Sequence, residues 1–318
     1  MTDLHDLMHL DIPGPDQLNS KVTLQIYEAL RPVLPPAHSC HRANQKKDRL
    51  TDCLEAFDAF ILDGFGVINV GMKKIDGINE FFWRANQARK PIVILTNGAS
   101  APSNVILEKY VGWGLPVTVQ NIVSSRDTLF ATLPAADQRV GFLQLDCNTQ
   151  LIDGLTKWTK ASYDLFDQAD GFVFLGSSSW AEADQVQLEK SLARRMRPVL
   201  VGNPDVSAPH PEKFSAEPGY WMARAMQSVP GFYPRWFGKP HLPAFQLAIK
   251  KVKQLAGFSV PNHRIAKVGD SLHTDILGGV AAGLGTILVT NYGLLRSHDA
   301  DQFCAKTRIN PDWQVRYI

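Results

Sequence analysis

Carboxylates follow two short apolar runs of this sequence, at places where a side chain could do chemistry. Asp63 ends the apolar run Ala59 to Leu62 and precedes Gly64-Phe65-Gly66. This pattern predicts a buried strand that delivers an acid to a loop. Asp270 follows a second apolar run in the same way. A carboxylate in such a loop can serve as a nucleophile or as a metal ligand, and Asp63 is the candidate reactive group.

Neighbouring segments supply a hydroxyl, an amide, a lysine and one more acid. These residues are Thr96, Asn97, Gly98, Lys239 and Asp275. Any one of them alone is weak evidence, because Asp and Thr often end strands only to cap the next helix. For Thr96 by itself, capping and function are equally supported. Together, two carboxylate loops, a hydroxyl and a lysine suit a phosphate held against Mg²⁺.

The elements that must position these groups alternate between strand and helix. The strand before Asp63, a helical stretch and the strand Ile92 to Leu95 form a βαβ unit. The series resumes later with a helix and the strands Ile265 to Val268 and Thr286 to Val289. The carboxyl ends of parallel strands border the crevice where ligands bind. The pattern predicts an α/β protein with a Rossmann-like parallel-sheet core.

A second α/β series interrupts the first. It comprises the strands Val140 to Leu145, Phe172 to Leu175 and Val199 to Val201 and the helices Leu151 to Tyr163 and Val186 to Met196. We therefore predict an N-terminal extension (1–50), a core domain (51–126 plus 230–318) and an inserted α/β domain (127–229). The proline-rich extension carries no recognisable chemistry, and its functional alternative is an oligomerisation or lid segment.

Composition bounds the remaining possibilities. The 318 residues are 45% hydrophobic and 20% charged, with a formal net charge of +2, so no basic field exists for non-specific nucleic-acid binding. The cysteines Cys40, Cys53, Cys147 and Cys304 form no Cys-x-x-Cys pair, which favours a reduced, cytoplasmic protein. The start lacks a signal-peptide pattern, and no apolar run is long enough for a membrane span. A homo-oligomer is compatible with the sequence.

Six pieces of the sequence are similar to one known family, and four motifs among them follow its order and spacing. They are Phe60-Ile-Leu-Asp63-Gly-Phe-Gly-Val67, Ile94-Leu-Thr96-Asn97-Gly98, Val201-Gly-Asn203-Pro-Asp205, Pro218-Gly219, Gly238-Lys239-Pro240 and Val268-Gly-Asp270-Ser-Leu-His-Thr-Asp275. With them the sequence resembles the haloacid dehalogenase (HAD) superfamily, in particular its class IIA, p-nitrophenyl phosphatase-like hydrolases. The resemblance spans roughly residues 56 to 292 and implies that the inserted domain is a C2-type cap.

The resemblance implies a Mg²⁺-dependent phosphatase of a small phosphorylated metabolite. Asp63 would be the nucleophile that forms an aspartyl-phosphate. Thr96, Asn97 and Gly98 would bind the phosphate, and Lys239 would neutralise its charge and hold Asp63. Mg²⁺ would be bound by Asp63, the backbone carbonyl of Phe65 and Asp270. Asp275 would support the metal through water or a neighbouring contact.

The inserted domain would close over the site and set specificity. Asn203 and Asp205 are the leading candidates for substrate contacts there. The alternative for Asn203-Pro204-Asp205 is a plain turn, because Asn-Pro and Pro-Asp both favour turns.

One position departs from the family pattern. The family places a second aspartate two residues after the nucleophile, where it protonates the leaving group and later activates water, and here that position is Phe65. Losing an acid/base group costs about 10²- to 10⁴-fold in rate if nothing replaces it. His241 and His273 are candidate substitutes, although both are also explained as surface residues at helix starts, and Asn69 can orient a water but cannot take its proton. The alternative function is a catalytically degenerate protein that binds a phosphorylated ligand in a regulatory role.

Overall fold

The computed structural model describes residues 4–36, 44–133, 141–146, 148–160 and 162–318. Cys40, Cys147 and the predicted strand start at Val140 lie outside these ranges. The helices are α1 (His5–His9), α2 (Ser20–Ala29), α3 (Ile78–Gln87), α4 (Ser103–Gly112), α5 (Ser125–Phe130), α6 (Asp164–Gln168), α7 (Glu182–Arg194), α8 (Pro218–Ser228), α9 (Leu242–Ala256), α10 (Leu277–Ala281) and α11 (Ala300–Thr307).

The strands fall into two main sheets and two small hairpins. They are β1 (Gln45–Arg49), β2 (Ala59–Leu62), β3 (Asn69–Val70), β4 (Lys73–Lys74), β5 (Ile92–Thr96), β6 (Ile122–Ser124), β7 (Phe142–Leu145), β8 (Thr156–Lys157), β9 (Gly171–Phe174), β10 (Val199–Val201), β11 (Ser207–Pro209), β12 (Phe214–Ala216), β13 (Arg235–Trp236), β14 (Ile265–Gly269), β15 (Gly285–Val289) and β16 (Trp313–Tyr317).

The core sheet has seven parallel strands in the order β1-β16-β15-β14-β2-β5-β6. From β2 the chain moves outward through β5 and β6, and later returns to the other side of β2 through β14. The strand order therefore reverses between β2 and β14, which is where open parallel sheets bind ligands. The predicted fold class, a Rossmann-like α/β core with an inserted α/β domain, is confirmed.

Helices cover both faces of the core sheet, which explains why its central strands are apolar throughout. Successive side chains of β2 point to opposite faces. Phe60 packs in one cluster with Phe81 of α3. Ile61 packs in another cluster with Phe245 of α9. Burial on both faces fixes the position of β2 in the sheet. Asp63 directly follows β2, so its position is fixed as well.

The inserted domain is built on a second parallel sheet with the order β13-β10-β9-β7-β8. Two predicted boundaries are corrected by the strand pairing. The inserted sheet extends to Arg235–Trp236, beyond the predicted boundary at 229. Gln45–Arg49, placed in the extension, is the edge strand of the core sheet. Both segments are too short or too polar to carry a strand signal, and pairing with neighbouring strands decides their structure.

The helix predicted from Leu151 to Tyr163 is wrong. This stretch contains a turn at Gly154, whose φ is +82°, and then the short strand β8, in which Thr156 pairs with Leu143. A glycine in the left-handed region ends regular helix, and the β-branched Thr156 fits the sheet edge.

The N-terminal segment 4–36 packs against both domains. Tyr27 and Ile26 belong to the same apolar cluster as Tyr220 and other side chains of the inserted domain. Leu24 packs with Leu294 and further residues of the core domain. The segment is therefore a structural bridge, not a separate appendage.

Polar contacts of α2 also reach both domains. Ser20 Oγ donates to the Leu294 carbonyl of the core domain at 2.7 Å. Thr23 Oγ1 and Ser207 Oγ of the inserted domain lie 2.8 Å apart. The Val206 amide donates to the Tyr27 hydroxyl at 3.1 Å, and the Tyr27 ring stacks on His273.

Within the residues that the structure describes, no helix is long and apolar enough to cross a membrane.

We predict that Tyr27→Ala lowers the free energy of unfolding by about 3 to 5 kcal/mol, because it removes a buried aromatic ring between the domains. Tyr27→Phe is the matched control. It keeps the ring and loses only the hydroxyl that accepts from Val206, so about 1 kcal/mol is expected. Chemical denaturation of the three proteins measures both changes. Equal losses in the two variants would contradict the packing role of the ring.

Candidate active site

The site lies where β2 and β14 end side by side. Leu62 pairs with Val268 across these strands, so the loops that begin at Asp63 and at Gly269 leave the sheet together. Oxygen atoms of Asp63, Asp270 and Asp275 all lie within 4.8 Å of one another. All three carboxylates are buried, with Asp275 fully inaccessible.

Two lysines hold this acidic cluster. Lys239 Nζ lies 2.8 Å from Asp63 Oδ1 and 2.7 Å from Asp275 Oδ1. Lys267 Nζ lies 2.7 Å from the same oxygen of Asp275 and donates to the Val268 carbonyl at 2.9 Å. Asp275 therefore joins both lysines, and through Lys239 it fixes the side chain of Asp63.

Glycines allow the loops to approach the carboxylates closely. A Cβ atom on Gly66 would lie 2.5 Å from Asp270 Cγ, and one on Gly293 would lie 1.6 Å from Asp270 Oδ2. The next amide, Leu294 N, donates to Asp270 Oδ2 at 2.8 Å. Any larger residue at these two glycines would displace Asp270, so the sequence needs glycine there for steric reasons.

The charges of the cluster shift its acids in opposite directions. Burial raises the pKa of Asp63, and the nearby Asp275 raises it further. Burial, Asp63 and Asp275 raise the pKa of Asp270 well above its ordinary value. Burial would also raise the pKa of Asp275, but Lys239 and Lys267 together lower it. Negative charge is therefore under-compensated at Asp63 and Asp270.

The residues present suit a hard divalent cation. Asp63 and Asp270 offer carboxylate oxygens as metal ligands. Within the described part of the chain, Oδ2 of Asp275 is buried without a hydrogen-bond partner. Oxygen ligands and uncompensated negative charge are what Mg²⁺ requires.

The loop after β5 borders the cluster. Thr96 Oγ1 accepts from the Gly98 amide at 3.1 Å. Asn97 Oδ1 accepts from the Lys239 amide at 2.7 Å, while Asn97 Nδ2 donates to the Lys239 carbonyl at 3.0 Å. Asn97 thus fixes the backbone of Lys239 with two hydrogen bonds, a role in positioning that the motif alone does not specify.

The two residues predicted in the inserted domain have different surroundings. Asp205 reaches the core domain, because Asn97 Nδ2 donates to its Oδ1 at 2.8 Å. Asn203 instead binds within the inserted domain. Its Nδ2 donates to Glu217 Oε2 at 2.9 Å, and its Oδ1 accepts from the Asp205 amide at 3.0 Å. Asn203 therefore shapes the loop that presents Asp205.

Phe65 stands next to the acidic cluster and contacts the inserted domain. Its ring packs edge-on against His210, with centroids 5.6 Å apart. His210 Nε2 and Ser215 Oγ lie 3.2 Å apart, and Ser215 Oγ donates to Glu217 Oε1 at 2.6 Å. An aromatic contact between the domains therefore lies beside the acidic cluster.

The two histidines suggested as substitutes are not surface residues with freely titrating rings. His273 is fully buried, lies 2.5 Å from Glu28 through Nε2, and stacks on Tyr27. His241 stacks on Trp236, and burial lowers its pKa to about 4. Burial lowers the pKa of both rings, which favours their neutral form.

Sequence reasoning missed several polar residues of the site. Lys267 is one of them, and its only signal was a charged residue inside the apolar strand β14. Asp146, at the end of β7, is also buried and has a φ of +66°. Glu217 joins Asn203 to Ser215 but carries no motif. These contacts arise only in the folded chain, and no motif predicts them.

Known proteins similar to this chain include phosphatases. A model of haloacid dehalogenase-like hydrolases matches residues 60–146, and a second HAD-hydrolase-like model matches 236–317. An acid sugar phosphatase of Staphylococcus epidermidis is 25% identical over 241 residues, which are 74% of this chain and 87% of that protein.

Solved structures share the fold. A possible sugar phosphatase from Cytophaga hutchinsonii has a TM-score of 0.72 at 24% identity, covering 86% of this chain and 98% of that one. The p-nitrophenyl phosphatase from Archaeoglobus fulgidus has a TM-score of 0.64 at 21% identity, covering 81% and 95%.

We predict that Lys267→Met lowers the free energy of unfolding by about 3 kcal/mol or more, because it leaves the buried Asp275 with one lysine in place of two. The double variant Lys267→Met/Asp275→Asn should lose less than the sum of the single variants, since the unpaired charge is then gone. Lys46→Met, at an exposed lysine, is the control and should unfold like the wild type. Additive losses in chemical denaturation would contradict the coupling.

Proposed function

The chain belongs to the haloacid dehalogenase-like hydrolases, and we propose that it is a Mg²⁺-dependent phosphatase that acts on a small phosphorylated metabolite through Asp63. The observation that carries this proposal is the buried Asp63 held by Lys239 beside Asp270. A nucleophilic carboxylate, a phosphate-neutralising ammonium and a second acid for a cation are the parts that phosphoryl transfer needs.

Asp63 is oriented for attack by its contacts. Lys239 and the Gly64 amide both bind Oδ1, the latter at 2.7 Å. The other oxygen, Oδ2, is then the one to attack phosphorus and form the aspartyl-phosphate. A covalent intermediate divides one difficult displacement into two easier steps.

The phosphate oxygens are received by groups around Asp63. Thr96 offers a hydroxyl on the neighbouring strand end, and Asn97 and Gly98 continue that loop. Burial lowers the pKa of Lys239, but Asp275, Asp63 and Asp205 raise it more, so its ammonium stays charged. A permanent positive charge in a buried site stabilises the transferring phosphoryl group.

Mg²⁺ would be held by Asp63, Asp270 and the Phe65 carbonyl, with Asp275 in support, and would supply charge stabilisation to the transferring group. Asp275 keeps its negative charge through Lys239 and Lys267. Asp270 is fixed by the Leu294 amide. The protein thus orients the carboxylates before a substrate arrives.

The inserted domain acts as the cap of the site and excludes water from it. Its loop residue Asp205 meets Asn97 of the core domain, and its His210 meets Phe65. The names of the similar proteins make sugar phosphates and aryl phosphates the first substrates to test. The competing proposal is a protein that binds a phosphorylated ligand without turnover, and Phe65 is the observation that favours it.

We predict that the wild type releases phosphate from an activated aryl phosphate in the presence of Mg²⁺ and that Asp63→Asn abolishes this release, because an amide is not a nucleophile for phosphorus. Asp58→Asn, at the other end of β2, is the matched control and should retain activity. Ligand-induced stabilisation without any phosphate release by the wild type would support the regulatory alternative.

Addition of Mg²⁺ should raise the thermal unfolding midpoint of the wild type. At about 100 times the dissociation constant, the expected stabilisation is about 2.7 kcal/mol. Asp270→Asn should abolish the shift, whereas Asp58→Asn should keep it. An equal Mg²⁺ shift in Asp270→Asn would refute the proposed cation site.

A further inference from the structure

The loop after β10 brings Asp205, a carboxylate of the inserted domain, to Asn97 of the core domain. Asn97 Nδ2 donates to Asp205 Oδ1 at 2.8 Å and to the Lys239 carbonyl at 3.0 Å. Lys239 in turn lies 2.8 Å from Asp63 through Nζ. One asparagine therefore ties Asp205 to the residue that holds Asp63.

The backbone around Asp205 is held on several sides. Its amide donates to Asn203 Oδ1 at 3.0 Å, and its carbonyl accepts from the Gly219 amide at 2.9 Å. The next amide, Val206 N, donates to the Tyr27 hydroxyl of the N-terminal segment. Within the described residues, the hydrogen bonds of the carboxylate involve Oδ1 alone, so Oδ2 is available to a ligand.

The charges that face Asp205 allow it to exchange protons near neutral pH. Burial raises its pKa to about 7, Lys239 and Asn97 oppose this rise, and Asp63 and Glu217 add to it. Tyr27 also faces it, but burial and Asp205 raise the pKa of that phenol well above its ordinary value, so the phenol stays protonated. A general acid works best when its pKa is near the working pH.

The histidines near the site are less suitable as proton donors. Burial lowers the pKa of His210, as do Lys213 and Arg296, so its ring is mainly neutral at pH 7. His273 is bound to Glu28, and the low pKa of His241 leaves it unprotonated.

We propose that Asp205, reaching in from the inserted domain, supplies the acid/base function that Phe65 cannot. This inference rests on the proposed phosphatase function. It assigns to the loop residue a second role besides the substrate contact expected from the sequence.

The proposed hydrolysis has two steps. First, an Asp63 carboxylate oxygen bonds to phosphorus while the bond from phosphorus to the leaving oxygen breaks, and the carboxyl proton of Asp205 passes to that oxygen. Second, the Asp205 carboxylate takes a proton from water as the water oxygen bonds to phosphorus. The bond from phosphorus to Asp63 then breaks, which releases phosphate and restores both acids.

The test compares the wild type with Asp205→Asn, Phe65→Asp and the double variant Phe65→Asp/Asp205→Asn. The substrates are 2,4-dinitrophenyl, 4-nitrophenyl and phenyl phosphate, whose leaving groups are increasingly basic but similar in shape. The measured quantity is kcat/KM, because it reports the first chemical step. Asp205→Asn keeps an oxygen that can accept from Asn97, so the loop contact is retained.

For Asp205→Asn, kcat/KM on phenyl phosphate should fall by about 10²- to 10⁴-fold. On 2,4-dinitrophenyl phosphate the loss should stay below about tenfold, since this leaving group needs no proton. The same variant should show a burst of dinitrophenolate, because water attack on the aspartyl-phosphate has lost its base. In the double variant, the aspartate introduced by Phe65→Asp should restore kcat/KM on phenyl phosphate to within about tenfold of the wild type.

The pH profile gives a separate readout. In the wild type, kcat/KM on phenyl phosphate should fall above about pH 7 as Asp205 loses its proton, and this fall should be absent in Asp205→Asn. Equal losses on all three esters would overturn the proposal and leave Asp205 as a binding residue. The proposal would also be overturned if the Phe65→Asp single variant is active but the double variant is no more active than Asp205→Asn.

The outcome separates this inference from the proposed function. Turnover of 2,4-dinitrophenyl phosphate that requires Asp63 supports the phosphatase function, whatever Asp205→Asn does. If Asp205→Asn behaves like the wild type, only the role of Asp205 is refuted. Absence of any Asp63-dependent turnover refutes the phosphatase itself.

Discussion

The contact of Asp275 with two buried lysines is the interaction on which the site depends. Three carboxylates converge where β2 and β14 end, and burying such charges without partners would be very costly. Lys267 and Lys239 both bind Asp275, and Lys239 extends this pairing to Asp63. The arrangement stabilises the folded chain and also leaves Asp63 and Asp270 with the uncompensated charge that a divalent cation can satisfy.

The two domains meet through an aromatic contact, a hydrogen bond and helix α2. Phe65 packs on His210, Asn97 binds Asp205, and α2 places Tyr27 against both domains. Because Tyr27 binds the amide that follows Asp205, the N-terminal segment supports the loop that presents Asp205 to Asn97. The segment with no chemical motif therefore helps to fix the geometry of the site.

Phe65 stands two residues after Asp63, and an aromatic side chain there cannot exchange protons. Its ring instead packs on His210 of the inserted domain. Asp205 is half-buried beside Asn97, and desolvation raises its pKa to about 7. In the proposed mechanism, the acid/base group therefore comes from the inserted domain.

The sequence by itself determined the α/β class, the central strands and the strand-end positions of Asp63, Thr96 and Asp270. Apolar runs that end in polar residues are local signals, and parallel strands must bring their ends together. Only the tertiary structure decided that Lys267 pairs with Asp275, that the His273 ring stacks on Tyr27, and that residues 151–160 contain a strand and not a helix. These features depend on which side chains and strands meet in the folded chain, and local propensity carries no information about such contacts.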